Sequence, residues 1–352
     1  MSDAPPTGVL VMAYGTPATP DDVEAYYTHV RRGRPPSPEQ LADLQRRYDA
    51  IGGTSPLLAV TRAQADGLAA VLGEGWHVAL GMKHAPPFIE DGMAALAARG
   101  VRQVIGLVLA PHYSALSVGE YAARVRASDA VVNGGVELTM VESWHLEPGY
   151  LDLLAGRVSD ARSRLGDVDP ERVEVVFTAH SLPARILDSG DPYPAQLADT
   201  AAAVAALLHL PRWSVAWQSA GRTSEPWMGP DVLEVLAALA QDSAQGAARA
   251  QHPPQGDGVD GVVVCACGFV SDHLEVLFDL DVEASQAAAR LGVAFARTAS
   301  LNDDPAFCAT LADVVRSHAA ASGPERPPER GQGPERPPER GSASASAAVP
   351  GA

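Results

Sequence analysis

Two stretches of this 352-residue chain carry residue types that could act together on a metal ion or a proton. The first is VEVVFTAHSLP, Val173–Pro183. Here His180 follows a β-branched and aromatic run (Val173, Val175, Val176, Phe177) that reads as a buried strand. Ligands of open parallel sheets gather at the carboxyl ends of strands, so an imidazole at this point would face a crevice. A strand-end histidine bonded to a neighbouring carbonyl fits the same stretch. The second is GFVSDHLEVLFDLDVE, Gly268–Glu283, in which Glu275, Asp279 and Glu283 recur every four residues. Each such step turns an α-helix by only about 40°, so the three carboxylates share one face, with Ser271 or Asp272 able to cap the helix. A solvated acidic face is the plain reading. Leu274, Val276, Leu277, Phe278, Leu280 and Val282 make the rest of the segment apolar nearly all round. On a buried helix the acidic stripe would need a divalent cation or a proton to offset its charge.

The elements that would position these groups alternate along the chain. Strands are expected at Gly8–Tyr14, Trp76–Met82, Gln103–Ala110 and Val136–Glu142, and again at Val173–Thr178, Ser214–Gln218, Val262–Cys267 and Val293–Arg297. Helical stretches separate them, among them Pro20–Arg32, Ser37–Ala50, Leu58–Leu72, Pro148–Leu165 and Pro305–Ala319. Apolar strands separated by helices predict parallel sheets covered on both faces, here an α/β fold in two doubly wound halves of four strands with the site in the cleft between them. The boundaries expected are 1–146 and 147–321. Ala244–Asp260 reads as a surface loop. The GPERPPERG repeats and Ser/Ala tail from residue 322 onward read as disordered, and a docking role for that tail stays open.

Composition excludes several classes. A net charge of -17 argues against non-specific binding to nucleic acid or anionic membranes. No apolar run is long enough to span a bilayer and no export signal opens the chain, so a cytoplasmic location is expected. No GxGxxG or GxxxxGK[ST] fingerprint sits at a strand-to-helix turn, which disfavours dinucleotides and nucleoside triphosphates. Cys265 and Cys267 are expected on opposite faces of a strand, as poor joint ligands.

The pieces LVMAYGTP (Leu10–Pro17), YYTHVRRGR (Tyr26–Arg34), RRYDAIGGTSPL (Arg46–Leu57), MKHAPPFIEDG (Met82–Gly92), LAPHYSALSVGEY (Leu109–Tyr121), FTAHSLP (Phe177–Pro183), WQSAGRTSEPWMGPD (Trp217–Asp231) and GFVSDHLEVLFDLDVE resemble ferrochelatases, in collinear order from about residue 8 to residue 316. The likeness is greatest to the bacterial branch acting on coproporphyrin III. It implies two Rossmann-like chelatase domains and insertion of Fe²⁺ into a porphyrin in heme biosynthesis, with porphyrin and ferrous iron as substrates. By the same resemblance His180 and Glu275 match the catalytic, iron-binding pair, and Asp279 and Glu283 an outer relay along a helix with a π-type distortion. Tyr14 matches the position facing iron from the opposite side of the macrocycle. Arg31, Arg47, Tyr48, Ser55 and Tyr121 match the positions contacting the propionates.

Lys83 and His84 end a strand facing the same cleft. Trp217, Trp227 and Met228 are expected to shape the pocket wall and hinge. Some relatives carry a [2Fe–2S] cluster on four cysteines; with only Cys265, Cys267 and Cys308, none is expected here. A monomer is expected, and a transient heme-pathway partner stays open. Protoporphyrin IX as substrate, cobalt insertion into a corrin precursor, and a porphyrin or heme carrier without catalysis are the alternatives. Two α/β halves would also suit a periplasmic-type solute-binding protein, which would normally carry an export signal.

Overall fold

The computed structural model of the protein describes residues 6–249 and 258–322; the repeats and tail after that lie outside the described residues. In the first half, β1 (Thr7–Ala13), β2 (Trp76–Met82), β3 (Gln103–Val108) and β4 (Glu137–Val141) form a parallel sheet in the order β2-β1-β3-β4. Helices α1 (Val23–Val30), α2 (Pro38–Ala50) and α3 (Leu57–Leu72) link β1 to β2, α4 (Ile89–Ala98) links β2 to β3, and α5 (Val118–Arg126) with α6 (Asp129–Val132) links β3 to β4. Helix α7 (Pro148–Ser163) crosses to the second half. There β5 (Val173–His180), β6 (Trp213–Gln218), β7 (Gly261–Cys265) and β8 (Ala294–Arg297) repeat the arrangement as β6-β5-β7-β8, again all parallel. Helices α8 (Tyr193–Leu208) and α9 (Val232–Arg249) flank β6. Helices α10 (Leu274–Val276) and α11 (Ser285–Leu291) run on either side of a π-helical segment, Leu277–Ala284, and α12 (Pro305–Ser322) is the last described element.

The continuous apolar runs of the central strands follow from this architecture, because both faces of each sheet are covered. Val9–Met12 and Val173–Ala179 are buried throughout. One core joins the halves: Val9 and Leu107 of the first sheet and Val175 and Phe177 of the second meet around Trp144, Tyr150, Phe307 and Leu311. The last two belong to α12, which packs on α3, α7 and β4 and so returns to the first half.

Three expectations change. Helix α9 continues to Arg249, into the stretch read as a loop; residues 250–257 of that stretch lie outside the described residues. Cys265 and Cys267 share one core cluster, whereas Ala266 between them faces another. A side-chain period of two puts alternate residues on the same face, so the opposite-face expectation misapplied that period. Neither Ser271 nor Asp272 caps the helix: the N-cap is His273, without a side-chain cap bond. Instead Asp272 accepts hydrogen bonds from Ser300 and Asn302 (2.8 and 2.9 Å), and Ser271 donates to Gln64 of α3 (3.1 Å).

Candidate active site

The carboxyl ends of β1 and β5, the central strands at which each sheet reverses its order, open onto one cleft of about 560 Å³. Tyr14 follows β1 and His180 ends β5. The turn after β7 comes so close to β5 that a Cβ on Gly268 would stand 2.4 Å from that of Ala179, which glycine alone avoids.

His180 keeps both sequence-level readings at once. Its Nδ1 donates to the Ser181 carbonyl, an acceptor only, so the remaining ring proton of a neutral imidazole is fixed there. The Nε2 lone pair then faces Glu275 Oε1 at 3.5 Å. Two acceptors face one another, and a proton or a metal ion between them resolves the contact. Donors about 2.1 Å from one shared first-row ion lie roughly 3.0–3.5 Å apart, so the spacing suits a bridged ion with little movement. Glu275 has a second imidazole on its other side. His273 donates from Nδ1 to the Ser271 carbonyl (2.9 Å) and turns Nε2 toward Glu275 Oε2 at 3.6 Å. Among the described residues, no group of three or more such side chains forms a metal cage.

The electrostatics follow from this packing. Burial opposes charge on His180, but the Glu275 carboxylate, the Ser181 carbonyl and Asp279 outweigh it and raise its pKa. Burial pushes Glu275 up, yet His180 and His273 together hold it well below the usual carboxylate range. One step along the helix, burial above all, and then the Glu275 and Glu283 charges, push Asp279 up to about 7 against the opposing Ser219 hydroxyl and Arg47. Its Oδ1 lacks a hydrogen-bond partner, with Arg47 Nη1 3.7 Å away.

The opposite wall comes from the first half. Tyr14 is 44% exposed and lines the cleft, its ring tilted 51° against that of His84 with centroids 4.5 Å apart. Desolvation by the cleft walls and the Glu275 charge raise its phenol. Burial and then Glu275 push Tyr48 up to about 12, opposed by its contact with Thr16. Tyr121 is raised by burial, then by Tyr14 and Glu120. Ser55 lines the same wall. Lys83 pairs with Glu120 at 2.6 Å and lies 5.1 Å from the Tyr121 ring. Burial and then the Lys83 charge lower His84 to about 3.

The cleft therefore gathers Tyr14, Tyr48, Ser55, Tyr121, His180, Glu275, Lys83 and His84. Arg31, Arg47, Asp279 and Glu283 do not line it. Arg31 donates to the Arg34 carbonyl at 3.2 Å, and Arg47 lies between Asp43 (3.3 Å) and Asp279 over the Phe278 ring. The second arginine of the pair, Arg32, lines the cleft instead. Its φ of +57°, followed by Gly33 at +80°, turns the chain out of α1 and redirects the side chain; Gly33 after an arginine pair was the available signal. Trp227 lines the cleft, whereas Trp217 and Met228 are buried in the core. His273 was also missed, because a histidine preceding a helix has no spacing signature of its own.

Comparison with known proteins agrees with this geometry. Among solved structures, SirB from Bacillus subtilis with Fe³⁺ superposes with a TM-score of 0.53 at 15% identity, covering 90% of this chain and 97% of that one, which shows a shared chelatase fold. The family model Ferrochelatase matches residues 6–319, and the chain belongs to the ferrochelatase family. It is 42% identical over 321 residues to the coproporphyrin III ferrochelatase of Anoxybacillus flavithermus, covering 90% of this chain and 97% of that protein. It is 44% identical over 313 residues to the ferrochelatase of Herpetosiphon aurantiacus, covering 88% of this chain and 98% of that protein.

Proposed function

We propose that this chain inserts Fe²⁺ into coproporphyrin III, releasing two pyrrole protons and yielding the iron coproporphyrin of heme biosynthesis. The observation that carries the reading is the 3.5 Å contact between His180 Nε2 and Glu275 Oε1, in a cleft of about 560 Å³ that Tyr14 also lines. An imidazole and a carboxylate suit ferrous iron as transient ligands, since the ion must be passed on rather than kept. Fe²⁺ held by this pair enters the macrocycle from the second half. The pyrrole protons leave on the same side, to His180 or Glu275, which titrate as one unit. Asp279, placed near neutrality by its surroundings, continues the route outward toward Glu283.

Tyr14 approaches the macrocycle from the other face, with Tyr48, Ser55 and Tyr121 around it. The cations on the cleft lining are Arg32, Lys83 and Arg185, which suit the carboxylates of a four-propionate substrate; Arg31 and Arg47 lie outside the lining. No helix among the described residues is long and apolar enough to cross a membrane. A monomer acting in the cytoplasm completes the proposal.

The test is anaerobic Fe²⁺ insertion followed by absorbance, with coproporphyrin III and protoporphyrin IX run side by side. Insertion into coproporphyrin III at least about tenfold faster is expected. Preference for protoporphyrin would move the substrate assignment, and tight porphyrin binding without insertion would leave a carrier.

A further inference from the structure

His180 and Glu275 come from different elements, a strand end and a helix start, and something must set their separation. One buried side chain touches both elements. Gln218 ends β6, pairs in register with His180, and its carbonyl accepts from the Ser181 amide at 2.7 Å. The Thr178 hydroxyl, two residues before His180, donates to Gln218 Oε1 at 2.8 Å. That bond commits Oε1 as acceptor and leaves the amide NH₂ at the other end. Gln218 Nε2 donates to the Glu275 carbonyl at 2.9 Å. The next residue continues the contact: Ser219 donates to Asp279 on the π-helical segment. Ser219 does so from a left-handed backbone, φ +60°, a conformation unfavourable to a non-glycine residue that the surrounding contacts must sustain.

Glu275 lies in α10, the short turn that leads directly into the π-helical segment carrying Asp279, a rare geometry that concentrates at functional sites, so contacts from β6 reach both carboxylates. We infer that Gln218 is a positioning residue, whose two-ended amide sets the spacing and orientation of Glu275 against His180 for metal transfer. The inference rests on the proposed ferrochelatase reading. Gln218 is 1% exposed and does not line the cleft, so it touches neither substrate nor the inserted ion. Its influence must pass through the two residues it holds. Partners that orient a metal ligand from behind change affinity or activity by roughly 10–100-fold when removed.

The experiment compares Gln218→Met, Thr178→Val and Thr178→Ser in the full chain. Porphyrin affinity is read by fluorescence quenching, and iron insertion by kcat and by KM for Fe²⁺. Gln218→Met and Thr178→Val are expected to bind coproporphyrin within about twofold of wild type. Both should lose roughly 10–100-fold in kcat/KM for iron. Thr178→Ser keeps the hydroxyl donor and should retain the wild-type rate. If Gln218→Met does not fold, the Thr178 pair decides. Insertion within about twofold of wild type in both disrupted variants would overturn the inference. So would equal losses in Thr178→Val and Thr178→Ser, or a loss matched by an equal fall in porphyrin affinity. A wild type that inserts no iron removes the functional reading itself, a result separable from unaffected variants in an active enzyme.

Discussion

The two halves of the molecule share a plan but bring different side chains to the cleft. Each sheet has the same strand order, and each offers the end of its central strand to the cleft. The first half places a tyrosine there, with Tyr48, Tyr121 and the Lys83–Glu120 pair around it. The second places a histidine, and there, alone among the described residues, an acidic π-helical segment follows the third strand of the sheet. Duplicated topology therefore supplies two equivalent positions but not two equivalent sites. What distinguishes them is the charge around each strand end. Phenols raised by burial remain neutral on one side, while on the other an imidazole is raised and its partner carboxylate depressed, each by the other's charge.

That contrast can be broken by exchanging losses between the sides. His180→Ala should lower iron insertion by roughly 10²–10⁴-fold with porphyrin binding retained, whereas Tyr14→Phe should cost less than about tenfold. Equal losses, measured in the same anaerobic assay, would mean that the chemistry is not confined to the second half.

A subtler result concerns the titration of His180. Its pKa is raised because Glu275 outweighs burial. In Glu275→Gln only the burial penalty and weaker contacts remain, so the His180 midpoint should fall. Imidazole resonances followed by NMR across pH would show the direction of that fall, and an unmoved midpoint would separate the pair electrostatically.

The smallest effect is on stability. Asp279 titrates near 7 in the folded protein against an ordinary 3.8, so between those values the folded state holds more protons than the unfolded one. Stability should therefore fall as pH rises from about 4 to 7, with the loss complete above that. Melting temperatures of wild type and Asp279→Asn at pH 5 and pH 8 check the sign: the wild type should lose more on going to pH 8.

Much of this was legible from residue patterns. The β-branched runs around Val9 and Val175 fixed both central strands, because a strand buried on two faces must be apolar along its whole length. Tyr14 and His180 were legible as strand ends for the same reason. Arg31 and Arg32 were not distinguishable, since a left-handed turn at Arg32 decides which guanidinium enters the cleft. Arg47 matches a propionate-contacting position by resemblance alone; its place between Asp43 and Asp279 depends on how α2 meets the other half. Likewise, α12 carries an apolar pattern that does not say which half it covers.

By itself the sequence determined the element order, the parallel sheets, the family and the identities of the imidazole and carboxylate that meet. Those follow from local periodicity and collinear motifs. Only the tertiary structure decided that His180 and Glu275 face each other as acceptors, that His273 flanks the same carboxylate, and that Gln218 ties their elements together. These contacts join residues far apart in the chain, such as Gln218 and Glu275, separated by 57 positions. Spacing along a chain cannot encode a distance that sheet pairing and helix docking set jointly.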